Sequence, residues 1–195
     1  MLNMKSGCKV PFPEKLEEAY QTKENVITAN IGIDNIEAVM QHFIVMHEEP
    51  LFFILELPTN ANDEIQIRQG LHHKDVYYID GCSQNEAIAI LMRVGDILFN
   101  DGLAEFGYGG HESGDEIMFG KYNILTIFSN NTEQYDEFFE AHGIKKVSEL
   151  VTAWDTFSQE HPGFSKRITV AGKDIYSIPE QFKESGMYFA ERREE

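Results

Sequence analysis

Residues 103–128, LAEFGYGGHESGDEIMFGKYNILTIF, form the stretch that decides the fold. The first arm, Leu103–Tyr108, alternates its side chains between two faces with the period of a β-strand. The second arm, Glu116–Phe128, is rich in aromatic and β-branched residues, and Gly120 indicates a bend within it. Between the arms, Gly109–Asp115 holds three glycines in seven residues, which allow a tight reversal. The sequence therefore predicts a long hairpin, one face of which the rest of the chain must cover.

The first part of the chain predicts two helices and two strands. Pro13–Lys23 has the spacing of a short amphipathic helix that begins at proline. Val26–Ile31 is β-branched and predicts a strand. Asp34 is expected to cap a stronger helix, whose apolar stripe ends before Pro50. Leu51–Leu57 is a nearly continuous apolar run between prolines, which predicts a buried central strand.

A strand and a capped helix precede the hairpin. Thr59–Asp63 predicts a polar loop, and Glu64–Gln69 is ambiguous between strand and loop. Val76–Asp80 predicts a strand. Ser83 and Glu86 have the spacing of a capping box, in which each side chain bonds the backbone amide of the other residue. The helix that they begin should end at residues 100–102, Asn-Asp-Gly.

The last third is less regular. Thr132–His142 predicts an acidic amphipathic helix. Leu150–Phe157 fits strand or helix, and its β-forming residues favour a strand. Phe164–Val170 and Asp174–Ile178 would complete a meander. Pro179 should open a final helix that runs into a charged tail.

These elements predict one α+β domain over residues 1–195, with a mainly antiparallel central sheet flanked by helices. Residues 1–12 are expected to be an irregular N-terminal segment. The chain is 42% hydrophobic and has 14 Phe and 8 Tyr, which is enough for a sizeable core. Strands mixed with helices, without regular βαβ alternation, argue against a doubly wound sheet.

The compartment expected from the sequence is the cytoplasm. The two cysteines, Cys8 and Cys82, give no disulfide framework and no metal-binding pair. Residues 1–13 lack the apolar region of a signal peptide. The apolar runs Leu51–Leu55 and Ala87–Met92 are too short to span a bilayer.

The net charge of −17 is unevenly distributed along the chain. Residues 24–140 contain 21 acidic and four basic residues, so they carry all of the excess. Such a field disfavours nucleic acid and anionic membranes as partners, because both would be repelled. It favours a basic protein partner, or serves solubility alone.

The acidic turn of the hairpin is the strongest candidate for chemistry. His111, Glu112, Asp115 and Glu116 could supply oxygen and nitrogen ligands to a divalent cation. Their spacing, however, fits neither the H-E-x-x-H motif nor an EF-hand. The turn glycines match no phosphate-binding loop. We therefore expect no cofactor, no metal and no enzymatic activity, and interpret the turn as a solvated or partner-facing patch.

The stretches VYYIDGCSQNEAIAIL and GYGGHESGDEIMFGKYN, together with the length and the acid-rich character of the chain, resemble the single-domain immunity proteins of bacterial polymorphic-toxin systems. This resemblance implies a stoichiometric inhibitor whose acidic surface binds a basic toxin domain, often a nuclease. The oligomeric state stays open. The expected partner-binding residues are Asp101, Glu105, Tyr108, His111, Glu112, Asp115 and Glu116.

Two other functions stay open at this point. The first is a metal-dependent hydrolase that uses the cluster around His111. The second is a structural or phage-derived protein without a small-molecule ligand.

Overall fold

A computed structural model describes residues 2–59 and 73–194 and shows an α+β domain built on a nine-stranded sheet. The α-helices are α1 (Ile33–Met46), α2 (Gln84–Leu98), α3 (Asp136–Ala141) and α4 (Ile178–Gln181). The strands are β1 (Cys8–Lys9), β2 (Ala19–Lys23), β3 (Val26–Asn30), β4 (Leu51–Pro58), β5 (His73–Cys82), β6 (Glu105–Gly110), β7 (Glu116–Phe119), β8 (Ile124–Phe128), β9 (Lys145–Lys146), β10 (Phe164–Ser165) and β11 (Tyr188–Glu194). The predicted fold class is confirmed.

The large sheet has the order β11-β5-β4-β6-β7-β8-β3-β2-β9, and all neighbours are antiparallel except β2 and β9. The two short strands β1 and β10 pair separately. The predicted strand at Leu51–Leu57 is confirmed as β4, which lies between β5 and β6. The predicted strand at Val76–Asp80 is confirmed within β5.

One face of the sheet carries the core. The register aligns Phe53, Tyr108, Ile117 and Ile127 across four strands, and all four side chains are buried. The apolar stripes of α1, α2 and α3 pack on this face in the same hydrophobic cluster. The three helices therefore form one layer, and the opposite face of the sheet carries no α-helix among the described residues.

The two long helices begin in different ways. The capping box predicted for α2 is confirmed, because Ser83 accepts the Glu86 amide while the Glu86 carboxylate accepts the Ser83 amide. The cap predicted for α1 is wrong. This helix starts at Ile33 after Gly32, without a side-chain cap, and the Asp34 carboxylate accepts a hydrogen bond from Asn3 instead.

The predicted second arm of the hairpin is two strands rather than one. A 3-10 turn at Lys121–Asn123 separates β7 from β8, and its Tyr122 and Asn123 have positive φ angles of 56° and 64°. The Asn123 side chain holds this reversal: its amide donates to the Asn3 and Ile31 carbonyls, and its oxygen accepts the Lys5 amide. Strands β6, β7 and β8 therefore form a meander rather than one hairpin. Local patterning did not reveal the turn between β7 and β8, because the partners that hold it lie far away in the sequence.

The predicted helix at Pro13–Lys23 is also wrong. Only Pro13–Lys15 forms a 3-10 turn, and the following residues form β2, paired antiparallel with β3. The predicted strand at Val26–Ile31 is confirmed as that β3. The ladder between the two strands overrides a weak helical pattern, as tertiary contacts often do.

The C-terminal third departs most from expectation. The predicted helix at Thr132–His142 exists as a 3-10 turn that continues into α3. The strand preferred for Leu150–Phe157 is wrong, since its regular part is a 3-10 turn. The predicted meander shrinks to β10 and a 3-10 turn at Ile175–Ser177. The expected charged tail is instead β11, an edge strand of the main sheet.

The loop expected after Thr59 and the ambiguous segment Glu64–Gln69 lie outside the described residues. Within residues 2–59 and 73–194, every helix is too short or too polar to cross a membrane.

Candidate functional site

A buried carboxylate organises the end of the molecule that carries the acidic turn. Asp115 is only 4% exposed. Its Oδ2 lies 3.1 Å from His47 Nε2 and accepts hydrogen bonds from Gln134 Nε2 (2.9 Å) and the Tyr135 hydroxyl (3.2 Å). These residues come from the end of α1, the turn before β7 and the start of the α3 segment. Asp115 therefore ties three segments together inside the fold.

The polar partners of Asp115 fix its role as structural. The other nitrogen of His47, Nδ1, lies 2.7 Å from the Phe43 carbonyl oxygen, so both ring nitrogens face oxygen acceptors. Burial and the Asp115 charge raise the pKa of Tyr135, which keeps this hydroxyl a donor. Neither His47 nitrogen is left to activate the nearby Ser113 as a nucleophile.

Exposed carboxylates surround this buried group. In the sequence, each lies within three residues of Asp115 or of a residue whose side chain bonds Asp115, and each is exposed. We call this set the acidic end: Glu48, Glu49, Glu112 and Glu133. No lysine or arginine among the described residues forms a salt bridge with any of them.

His111 is exposed at the margin of the acidic end. Its ring packs on Phe52, with centroids 5.2 Å apart, and its Nε2 lies 3.4 Å from an Asp80 oxygen. The imidazole therefore lies over the face of the sheet opposite the helices, away from Asp115.

Other acidic residues are neutralised on the strands at the far side of the sheet. Lys74 Nζ lies 2.9 Å from Glu105 and 3.5 Å from Glu56. Arg193 reaches Glu56 at 3.0 Å, and Arg192 binds Asp75 through both carboxylate oxygens at 2.6 and 3.1 Å. We call this set the charge-paired edge: Glu56, Lys74, Asp75, Glu105, Arg192 and Arg193.

Three residues expected to contact a partner are interior instead. Asp101 is fully buried, and its carboxylate accepts the amides of Leu103, Ala104 and Ile168. Tyr108 is fully buried in the core and donates to the Ala87 carbonyl at 3.0 Å. With Asp115, they hold the fold together and present no side chain to a partner in this structure.

The other expected contacts have different environments. His111 and Glu112 are exposed, whereas Glu105 is half-buried and already paired with Lys74. Glu116 is half-buried, and burial together with the Glu56 charge raises its pKa, while Arg193 opposes the shift. Of the expected set, the structure thus leaves only His111 and Glu112 exposed.

The proposed metal ligands do not converge on one point. Asp115 turns inward to His47, His111 turns to Asp80, and Glu112 projects from the turn. In the described parts of the chain, no group of three His, Cys, Asp or Glu side chains has the arrangement of a metal site.

The sequence analysis missed the polar contacts that build this region. His47 shares helical spacing with the apolar stripe of α1, and Tyr135 lies on the apolar face of the helix predicted at Thr132–His142. No local pattern pairs either of them, or Gln134, with Asp115. A buried lysine was missed as well: Lys5 is 1% exposed, its ammonium has no hydrogen-bond partner among the described residues, and it lies 4.2 Å from the Phe119 ring centroid.

Comparisons of the chain with protein-family models, with curated proteins and with solved structures found no match.

Proposed function

We propose that this protein is an acidic binding domain that neutralises a basic toxin domain by direct contact, as an immunity protein does. The observation that carries this proposal is the acidic end, where four exposed carboxylates lie close to one buried anchor and have no salt bridge to a described base. Both the charge and the resemblance noted in the sequence point to a basic partner.

Rigidity strengthens this surface as a binding site. Hydrogen bonds to Asp115 fix the three segments that carry Glu48, Glu112 and Glu133. A surface fixed before binding loses less conformational entropy on association than a flexible one. Complementary charge then raises the association rate, while apolar contacts contribute most of the affinity.

An apolar side chain is available beside these charges. Val45 is 54% exposed on α1, two residues before His47. The Gln84 amide fixes this end of the helix by donating to the carbonyls of Val45 and His47. Val45 therefore offers a fixed apolar contact next to the acidic end.

The proposed location is the cytoplasm. Cys8 and Cys82 are both free and buried, an arrangement in keeping with a reducing compartment. An immunity protein of this type would meet its toxin there.

The test is protection against a toxic protein encoded beside this chain. Each adjacent reading frame is expressed in bacteria with and without this protein, and rescue of growth identifies the partner. Binding of the purified pair is then measured by stopped flow at several salt concentrations. We expect one-to-one binding with an association rate that falls steeply as salt rises.

A triple charge reversal, Glu48→Lys, Glu112→Lys and Glu133→Lys, should slow association at least tenfold and flatten its salt dependence. The matched control reverses three exposed carboxylates elsewhere, Glu149, Glu160 and Glu184. Equal slowing by both variants would mean that net charge acts without a defined surface. An unchanged rate in the first variant, or no toxic neighbour, would contradict the proposal.

A further inference from the structure

The last strand leaves one edge of the main sheet open. All seven residues of β11 (Tyr188–Glu194) are exposed, and among the described strands β11 pairs only with β5. The opposite edge, β9, is only two residues long. An antiparallel strand directs alternate N–H and C=O groups away from its neighbour, so the outer side of β11 offers a row of backbone hydrogen-bonding groups.

Charged side chains on β11 restrict what can pair there. Glu191 and Arg193 lie opposite Val76 and Lys74 of β5, so both point to the face of the sheet opposite the helices. Arg192 lies opposite Asp75 and points to the other face, where it binds that aspartate. Charges on an edge strand discourage nonspecific pairing. They permit a partner strand only in a register that brings opposite charges together.

A second copy of this chain satisfies that condition. If two β11 strands pair antiparallel about a two-fold axis at Arg192, Glu191 of each copy lies opposite Arg193 of the other. From Glu191 to Arg193 this register keeps residues of the same face opposite one another, as a continuous sheet requires, and the bulge at Ala190 lies just outside these pairs. Centring the axis on Glu191 would set two glutamates against each other, and centring it on Arg193 would set Glu191 opposite position 195, another glutamate in the sequence. At Arg192 the like charges meet too, but each is compensated by Asp75 of its own copy.

We propose that this protein forms a two-fold dimer through antiparallel pairing of β11, with two Glu191–Arg193 ion pairs across the interface. Within one chain, Glu191 binds Arg193 at 2.6 Å, and both side chains are about half exposed. Each can therefore leave this contact and bind the oppositely charged residue of the second copy, because neither charge is enclosed in the protein. The interface is self-complementary, as two-fold symmetry demands. The axis is perpendicular to the sheet, so both helix layers face the same side. This inference does not depend on the proposed function.

Sedimentation equilibrium of the purified chain over a concentration series tests the dimer. We expect a mass approaching twice the 22.3 kDa of one chain. Glu191→Arg alone and Arg193→Glu alone should each weaken dimerisation about tenfold or more, because like charges then face each other twice. The double variant restores opposite charges and should recover most of the lost affinity. Glu194→Lys is the matched control, since in this register it faces Ala190 of the second copy.

A second measurement covers the case in which a variant folds poorly. Amide hydrogen exchange of the wild-type chain should slow within β11 as protein concentration rises. A monomer at every concentration would overturn the proposal. So would a dimer in which Glu191→Arg acts no more strongly than Glu194→Lys, or in which the double variant is as weak as the single ones.

Discussion

The acidic end and the charge-paired edge draw most of their carboxylates from the same acid-rich part of the chain, yet the fold treats them in opposite ways. At the acidic end, Glu48, Glu112 and Glu133 stay exposed and form no salt bridge with a described lysine or arginine. At the charge-paired edge, Glu56 and Asp75 are bound by arginines of β11, the last strand. The difference shows that acidic residues clustered in the sequence produce a negative surface only where the fold places no lysine or arginine against them.

The expected anionic surface is therefore smaller than the sequence indicated. Arg192 and Arg193 cross from the C-terminal segment and neutralise one side of the sheet. Lys146 likewise binds Asp136 at 2.7 Å. What remains is concentrated at one end and along the outer surface of the helices.

The largest expected effect comes from removing the anchor of the acidic end. Asp115→Ala leaves His47, Gln134 and the Tyr135 hydroxyl without the carboxylate oxygen that they share. We expect a loss of about 3–5 kcal/mol in the free energy of unfolding, because several buried polar groups lose their partner at once. Urea denaturation measures it, with Glu112→Ala as the exposed control, for which we expect a change within about 0.5 kcal/mol. A change at Asp115 no larger than that at Glu112 would contradict the role of Asp115 as the anchor of the acidic end.

A buried base offers the opposite test, because its removal should stabilise the protein. Burial lowers the pKa of Lys5 to about 8 from 10.5. The folded state thus holds the lysine charged only below pH 8, whereas the unfolded chain keeps it charged up to 10.5. The unfavourable free energy of burying the charged lysine is present below pH 8 and disappears as the pH rises toward 10.5. The free energy of unfolding of the wild-type protein should therefore increase over that range.

Lys5→Met should remove this penalty and stabilise the protein at pH 7 by about 3 kcal/mol. Urea denaturation at pH 7 and at pH 10 measures the gain, which should shrink at the higher pH. Lys9→Met, on an exposed lysine nearby, is the control. An equal gain at both pH values would show that packing, not charge, explains it.

A smaller loss of stability is expected at Tyr108, where the structural role of a side chain can be distinguished from a role in partner binding. Its hydroxyl donates to the Ala87 carbonyl inside the core, so Tyr108→Phe should cost about 1 kcal/mol of stability. Partner binding should be unchanged, because the ring is not at the surface. Thermal denaturation and the binding assay report the two quantities separately. If Tyr108→Phe weakened partner binding but left the stability unchanged, Tyr108 would be a contact residue and this prediction would be wrong.

The smallest expected effect lies at the charge-paired edge. Arg192→Ala removes a two-oxygen contact to Asp75, but the arginine is 40% exposed. We expect a loss of about 0.5–1 kcal/mol that decreases at high salt. Hydrogen exchange should show that this loss is confined to β11 and β5. A salt-independent loss would mean that apolar packing of the arginine stem, rather than charge, holds the strand.

Sequence patterning predicted the elements whose signals are local. The apolar run of β4 and the Ser83–Glu86 capping box were both found where expected. Patterning failed where distant partners decide the structure. The segment 19–23 becomes β2 because β3 pairs with it, and the charged tail becomes β11 because β5 supplies both a ladder and Asp75. The candidate site followed the same rule, since the acidic turn was visible but the inward orientation of Asp115 was not.

The sequence by itself determined the fold class, the long helices and the excess of negative charge, because period, capping and composition are properties of neighbouring residues. The tertiary structure alone decided which carboxylates are buried, which are paired and which remain exposed. Asp101, Glu112 and Asp115 lie within fourteen residues of one another in the chain, yet only Glu112 faces water. The partners that bury the other two, Ile168 and His47, are 67 and 68 residues away, so only the folded chain brings them together.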